Sequence, residues 1–228
     1  MIAIVVPVFN EAGSVDEFLS ALEQAMGTNQ YTAYFVDDNS TDGTREKLRS
    51  KPHVVLIERN DERGFGSAVM TGIRQAALLK PEYIASIDSD MQQHPDILPR
   101  LLQAQIDTKA DYVTGSKWAS GTNFTLMRRL ASRVAGAIAH RLLGIDVPDV
   151  TSNVRIYSPI AYRCLIRAAY EDDYPKGYDF QLWSLYQLRK LKSASIDYTF
   201  YPRKAGKSKF KWSQGFKYLK TATKLLFE

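Results

Sequence analysis

The feature that most limits what this chain can fold into is an alternation through its first half. Short apolar runs recur there, each followed by a segment with helical character. "IAIVVPV" (2–8), "AYFVDD" (33–38), "VVLIE" (54–58), "YIASID" (83–88) and "DYVTGS" (111–116) read as strands. Ser14-Val15-Asp16-Glu17 carries the Ser-x-x-Glu capping-box pattern ahead of Phe18, Leu19 and Leu22. A short helix follows Thr41-Asp42-Gly43, another runs from about Gly66 to Leu79, and Pro95 suits the first position of a third. Strands separated by helices at this spacing predict an α/β fold, a mainly parallel sheet with helices on both faces.

The second half is less regular. A loop (119–125) precedes a helix from about Met127 to Leu143 that carries four arginines. Ser158-Pro159 opens another helix, and Tyr178 to Lys190 forms the next. "SASIDYTFY" (193–201) alternates as a late strand that can run antiparallel to the others. No repeat or linker interrupts the chain. The reading is one domain over 1–210, with a basic segment, 211–228, either part of it or membrane-associating.

Composition excludes some classes. The lone Cys164 rules out an internal disulfide and suits a reducing compartment. No apolar run approaches 18 residues, so no membrane-spanning helix is expected. "MIAIVVPVFNEAG" lacks a basic leader and reads as a first strand rather than a signal peptide. The net charge of +5 is unevenly placed: residues 203–228 hold eight Lys or Arg against Glu228, which leaves the rest at −2. A near-neutral domain with a basic tail is not a protein that coats nucleic acid.

Ligands of open α/β sheets bind beyond the carboxyl ends of the strands. Three polar clusters fall at that edge: "VFNE" (8–11), "VDDNSTDGT" (36–44) and Asp88-Ser89-Asp90. Asp88 and Asp90 have the period-2 spacing that places two carboxylates on one side of an extended chain. With Gln92 nearby, they offer hard oxygen donors to Mg²⁺ or Mn²⁺, a set that an anionic partner such as a diphosphate would complete. Zinc is a poor fit, because His53, His94 and His140 are scattered. Asp38, an acceptor when ionised, would favour a base with a ring N–H: uracil, thymine or guanine. Gly64-Phe65-Gly66 is not a dinucleotide fingerprint, since Val69 stands where a third glycine belongs. It reads as a loop that lets backbone approach a ligand or a neighbour.

"VPVFNE", "VDDNSTDGT", "ERGFGSAVMTGI", "IDSDMQ", "TGSK" and "RKAGKSK" stand in the order found in family 2 glycosyltransferases of the Rossmann-like GT-A fold. The chain most resembles their dolichol-phosphate mannose synthase and polyprenyl-phosphate sugar transferase branch. The resemblance implies that Pro7, Phe9 and Glu11 shape the nucleotide pocket, with Val36 and Asp38 against the base. It implies Asp88, Asp90 and Gln92 as metal ligands, with Ser89 on the donor side. Arg128 and Ser132 would meet phosphates from the helix after the "TGSK" loop, and Arg203 and Lys209 would do so from the "RKAGKSK" stretch. The sequence also departs from the family pattern. Lys117 stands at a donor-side position usually held by arginine, so bidentate phosphate binding is lost there. "DVTSNVRIYS" (149–158) replaces a "DPTSGFR"-like stretch, and Lys207 replaces a common glutamate.

The activity implied is inverting, metal-dependent transfer of a sugar from a UDP- or GDP-linked donor to a polyprenyl phosphate or other lipid-linked acceptor. Displacing a nucleoside diphosphate builds charge on the leaving group, which Asp90-bound metal, Arg128, Arg203 and Lys209 would stabilise. A sugar hydroxyl is the alternative acceptor and would need a general base, with Asp172, Asp173 and Asp179 the candidates. A sugar nucleotidyltransferase would share the sheet but should carry basic residues after the first strand, where "PVFNEAGS" has none. Nucleic acid would be repelled by the acidic rim. "KFKWSQGFKYLKTATKLLF" interleaves Lys with aromatic and aliphatic residues, which suits a helix on an anionic membrane surface or one packed on the domain with its lysines in water. Where the chain stops at Glu228, relatives often continue into membrane helices; it is read as peripheral at the cytoplasmic face, partner-dependent, or a fragment.

Overall fold

The structure, a computed structural model, describes residues 1–60, 63–117, 136–137, 139–202 and 213–227. Seven strands form one sheet: β1 Ile2–Val8, β2 Tyr31–Asp37, β3 Val54–Glu58, β4 Tyr83–Ser86, β5 Tyr112–Ser116, β6 Arg155–Tyr157 and β7 Ser193–Asp197. Their order across the sheet is β3-β2-β1-β4-β6-β5-β7. Every neighbouring pair is parallel except the two made by β6, which runs antiparallel to both β4 and β5. The mainly parallel α/β sheet expected from the alternation is therefore present.

The helices are α1 Val15–Met26, α2 Thr44–Leu48, α3 Phe65–Ala77, α4 Ile97–Thr108, α5 Pro159–Glu171, α6 Phe180–Leu188 and α7 Ser213–Leu226, with a further helical stretch at 139–143. Alternation along β1 sorts its side chains into two cores. Ile2, Ile4, Val6 and Val8 pack under α1 and α4, whereas Ala3 and Val5 face α3. The second core continues through α5, α6 and α7. Phe180 through Tyr186 are all buried, Gln181 and Ser184 included, so α6 is covered all round, with α3, α5 and α7 among its neighbours.

Local chemistry explains several boundaries. Pro7 sits in a central strand, which its missing N–H would ordinarily forbid. Val5 accepts from the Ile87 N–H on the β4 side and Val8 from the Asp38 N–H on the β2 side, so Pro7 faces β4 just where that strand has ended. Ser158 caps α5 by accepting from the Ala161 N–H, with Pro159 at the first helical position as expected.

Four expectations are corrected. The Ser14–Glu17 capping box is absent: Ser14 makes no cap hydrogen bond, and its hydroxyl donates back to Glu11 Oε2 at 3.1 Å instead. Pro95 lies before α4 in the turn that leads into it, with the Leu98 N–H on its carbonyl. The late strand β7 is parallel to β5 and ends at Asp197. Finally, β6 was not expected as a strand. Its three residues are too few to show a period, and its partners are distant in sequence.

Candidate active site

The carboxyl ends of β1, β2 and β4 open onto one rim, and side chains bind the first two loops together. The Asn10 N–H donates to Ser40 Oγ, the Glu11 N–H to Thr44 Oγ1 and the Ala12 N–H to Asp42 Oδ2, each at 2.9 Å. Asn10 Oδ1 accepts in return from the Thr41 N–H at 2.8 Å. The polar residues of "NSTDGT" thus satisfy backbone groups of the loop after β1 that no sheet or helix partner reaches. Glu11 is buried in this clasp and Phe9 is half-buried at its edge. Burial raises the Asp42 carboxyl, but hydrogen bonds from Thr44 and from the Ala12 N–H outweigh it and hold the group below its ordinary value.

The two aspartates at the end of β2 face different partners. Asp37 is buried and pairs with Arg45 at 2.5 Å. Asp38 accepts from Arg59 Nε at 2.9 Å and pairs with its Nη2, while its Oδ2 accepts from the Gly64 N–H at 2.7 Å. Arg59 also donates to Ser67 Oγ at 2.6 Å, so one guanidinium joins β2, the glycine-rich loop and α3. Those glycines serve a neighbour. Gly64 has φ +137°, and a Cβ at Gly66 would lie 2.4 Å from Phe180 Cβ and 2.6 Å from the Pro175 carbonyl. The Gly66 N–H donates to the Lys176 carbonyl, and Phe65 stacks on Tyr178.

Beyond β4 stand Asp88, Ser89 and Asp90. Asp90 and Ser89 are buried and Asp88 is half-buried. Asp90 Oδ1 accepts from the Gln92 N–H at 3.0 Å, closing a tight turn on its own backbone. Asp88 accepts from Asn153 Nδ2 at 2.8 Å on one oxygen and from Gln93 Nε2 at 3.1 Å on the other. The chain after β7 borders the same loop: the Tyr201 N–H donates to the Gln92 carbonyl at 2.9 Å, and Gln93 bridges to Phe200.

Because β6 runs against its neighbours, the segment leading into it, 149–154, arrives at the rim formed by the ends of β4 and β5. Buried Asp149 pairs there with Lys117 at 3.1 Å, and Lys117 Nζ donates to Thr151 Oγ1 at 2.7 Å. Lys117 is only 7% exposed, so its ammonium braces the end of β5 against this segment. Tyr198 lies buried beside Ser152 at 3.3 Å. Burial first, then the Asp149, Asp88 and Asp90 charges, push its phenol well above the ordinary value, against the Ser152 hydrogen bond.

The residues named from the sequence divide into three groups. Pro7, Phe9, Glu11, Val36 and Asp38 lie on or beside the clasped loops, with Pro7 in register with Val36. Asp88, Ser89, Asp90, Gln92 and Lys117 lie on the neighbouring rim. Arg128, Ser132, Arg203 and Lys209 fall outside the described residues. Among the candidate bases, Asp172 and Asp173 are exposed, whereas Asp179 is buried and accepts from Thr221 of α7 at 2.8 Å. Sequence reasoning missed Arg59, Gln93 and Asn153, whose only signal is a partner far along the chain or a second amide beside Gln92. Among the described residues no three His, Cys, Asp or Glu side chains converge. The rim therefore supplies a few hard oxygen donors, a set that fits Mg²⁺ or Mn²⁺ bound jointly with a diphosphate.

At the far end, α7 buries Ala222 and Leu225 against the domain. Its other faces expose Phe216 (77%), Leu219, Lys217, Lys220 and Lys224, with Phe227 beyond it. No helix among the described residues is long and apolar enough to cross a membrane.

Known proteins resemble this chain in sequence and in fold. Dolichol-phosphate mannosyltransferase of Pyrococcus furiosus is 28% identical over 99% of this chain, which spans 63% of that relative's length. Undecaprenyl-phosphate mannosyltransferase of Micrococcus luteus is 28% identical over 90% of the chain and 85% of its own length. Among solved structures, glucosyl-3-phosphoglycerate synthase of Mycobacterium tuberculosis, crystallised with Mn²⁺, UDP-glucose and phosphoglyceric acid, matches at a TM-score of 0.74. At 16% identity, over 100% of this chain and 80% of that one, this is a likeness of fold, the GT-A fold expected. The model of the family described as glycosyl transferase family 2 matches residues 3–166, and the chain belongs to that family.

Proposed function

We propose that this chain transfers a sugar, with inversion, from a nucleoside diphosphate sugar to a polyprenyl phosphate. The observation that carries the reading is the shared rim: two loops clasped at the ends of β1 and β2 stand beside the buried Asp88–Asp90 turn. Membership of the family and the names of two mannosyltransferase relatives support it. Pro7, Phe9, Glu11 and Val36 would line the nucleotide pocket. Asp38, its rotamer fixed by Arg59 and Gly64, would accept from the ring N–H of uracil or guanine.

Asp88, Asp90 and Gln92 would hold Mg²⁺ or Mn²⁺ against the donor diphosphate, with Ser89 beside them. Bound there, the metal supplies charge stabilisation to the departing diphosphate. The remaining chemistry is positioning by the protein. An acceptor phosphate oxygen attacks the anomeric carbon as the bond from that carbon to the diphosphate oxygen breaks, and the nucleoside diphosphate leaves with the electron pair. A lipid monophosphate has a second pKa of about 6 and is already anionic near neutrality, so no general base is needed. Arg128, Ser132, Arg203 and Lys209 would guide the two phosphates, and Lys117 would shape the donor pocket through Asp149. A sugar hydroxyl acceptor would require a base, and solvent-exposed Asp172 and Asp173 and the Thr221-bonded Asp179 favour that reading less.

The exposed lysines and aromatic residues of α7 support an anionic membrane surface as the place of action, at the cytoplasmic face. Packing of α7 on α6 supports taking 211–228 as part of the same domain as 1–210.

Thermal stability against UDP, GDP, dTDP and CDP, each with and without Mn²⁺, tests the donor site. A nucleotide at about 100 times its dissociation constant adds roughly 2.7 kcal/mol. Metal-dependent stabilisation by one or two of them, lost in Asp90→Ala, is the expected result. Stabilisation by none of them would overturn the reading.

A further inference from the structure

Asp88 is gripped from two sides by buried amides that belong to different parts of the fold. Gln93, 4% exposed, closes a ring on it: Oε1 accepts the Asp88 N–H at 3.1 Å while Nε2 donates to Oδ2 at 3.1 Å. Asn153, 3% exposed, donates to Oδ1 at 2.8 Å. Asn153 is itself anchored, since its carbonyl accepts from Ser86 Oγ at 2.6 Å. It reaches this place only because β6 is antiparallel to β4, with Ser86 in register with Arg155.

We infer that Asn153 and Gln93 are positioning residues of the metal–diphosphate site, setting the plane of the Asp88 carboxylate so that its outward lone pairs are aimed in advance. The inference rests on the reading of Asp88 given above. An ionised carboxylate has about four acceptor sites, so two amides do not by themselves fill it. Because the amides are neutral, they orient the group without cancelling the charge that would attract a cation. Fixing a ligand this way is what partners behind metal ligands do, and their removal typically costs 10–100-fold in metal affinity. Asn153 is the more telling of the two. It lies in the stretch that departs from the "DPTSGFR"-like pattern, which has glycine at that position and so no side chain to donate. The departure from the family pattern at Asn153 thus reaches the metal side of the rim.

The test is Mn²⁺ binding to the full chain, followed by the EPR signal of free Mn²⁺ with saturating UDP or GDP, whichever stabilises the wild type more. Asn153→Ala and Gln93→Ala are compared with wild type, and metal-free nucleotide binding and the unliganded melting temperature are measured alongside. Each variant is expected to weaken Mn²⁺ binding about tenfold while leaving metal-free nucleotide binding unchanged. Mn²⁺ binding equal to wild type in both variants overturns the inference and spares the donor-site reading. So does an equal loss of nucleotide binding with and without metal, which would mark a merely structural role. If the wild type itself binds no Mn²⁺ with either nucleotide, the donor-site reading fails first and takes this inference with it.

Discussion

The two sides of the sheet are built on different principles. From β3 through β2 and β1 to β4 every strand is parallel, and each polar cluster follows its own strand directly. From β4 across β6 to β5 direction reverses twice before β7 joins in parallel, and side chains reach the rim from segments far along the chain. On the first side a motif and its position are the same information. On the second, position is conferred by pairing, and a residue's place depends on a strand elsewhere. The first side should accordingly fail through stability when cut, and the second through binding.

Arg59→Ala should show this most strongly. It removes the cation shared by Asp38 and Ser67 at a pair only 10% and 12% exposed, and should cost about 2–3 kcal/mol in urea unfolding. A loss below about 0.5 kcal/mol would show that the guanidinium does not hold the loop. On α7, outside the sheet, replacing Lys217, Lys220 and Lys224 together by Gln should leave the melting temperature nearly unchanged. Binding to phosphatidylserine vesicles should fall by roughly 3 kcal/mol, about 1 per lysine. Equal binding to neutral and anionic vesicles by the wild type would remove the electrostatic part of the reading.

Gly66→Ala probes the seam between the sides, where the loop before α3 meets the residues before α6. The methyl group would overlap backbone and the Phe180 side chain, and a loss of about 1–3 kcal/mol is expected. Smallest is Asp42→Asn, at about 0.5–1 kcal/mol, because Asp42 is exposed and its hydrogen bonds compete with water. Its folded pKa is lowered, so the stabilisation is present above the unfolded value of about 3.9 and is lost as pH falls through the lower folded one. The difference between wild type and variant should therefore shrink with acidification across that window.

The same division explains what the sequence disclosed. Strands β1 to β5 were legible because short apolar runs of strand length, spaced by helical segments, suffice to see them. β6 was not, because Arg155-Ile156-Tyr157 is too short to show a period, and the direction of β7 was not, because periodicity carries no direction. Asp88 and Asp90 announced themselves by spacing at a strand end. Arg59 and Asn153 did not, since an arginine in a charged loop and an asparagine before a strand are ordinary until their partners are known. Lys117 stood out only through the family resemblance, and its buried partner Asp149 did not stand out at all.

The antiparallel strand also fixes an order in time. β1 to β4 and their loops are complete in the first 90 residues or so, and a chain emerging at about 5–20 residues per second can begin to pair them early. Ile84 meets Tyr157, and Asp88 meets Asn153, only after the intervening chain has been made and that long loop closed, which is an entropically slow event. A nascent chain can thus display the acidic turn well before Asn153 arrives, so the pairing of β6 and the gripping of that turn are one event.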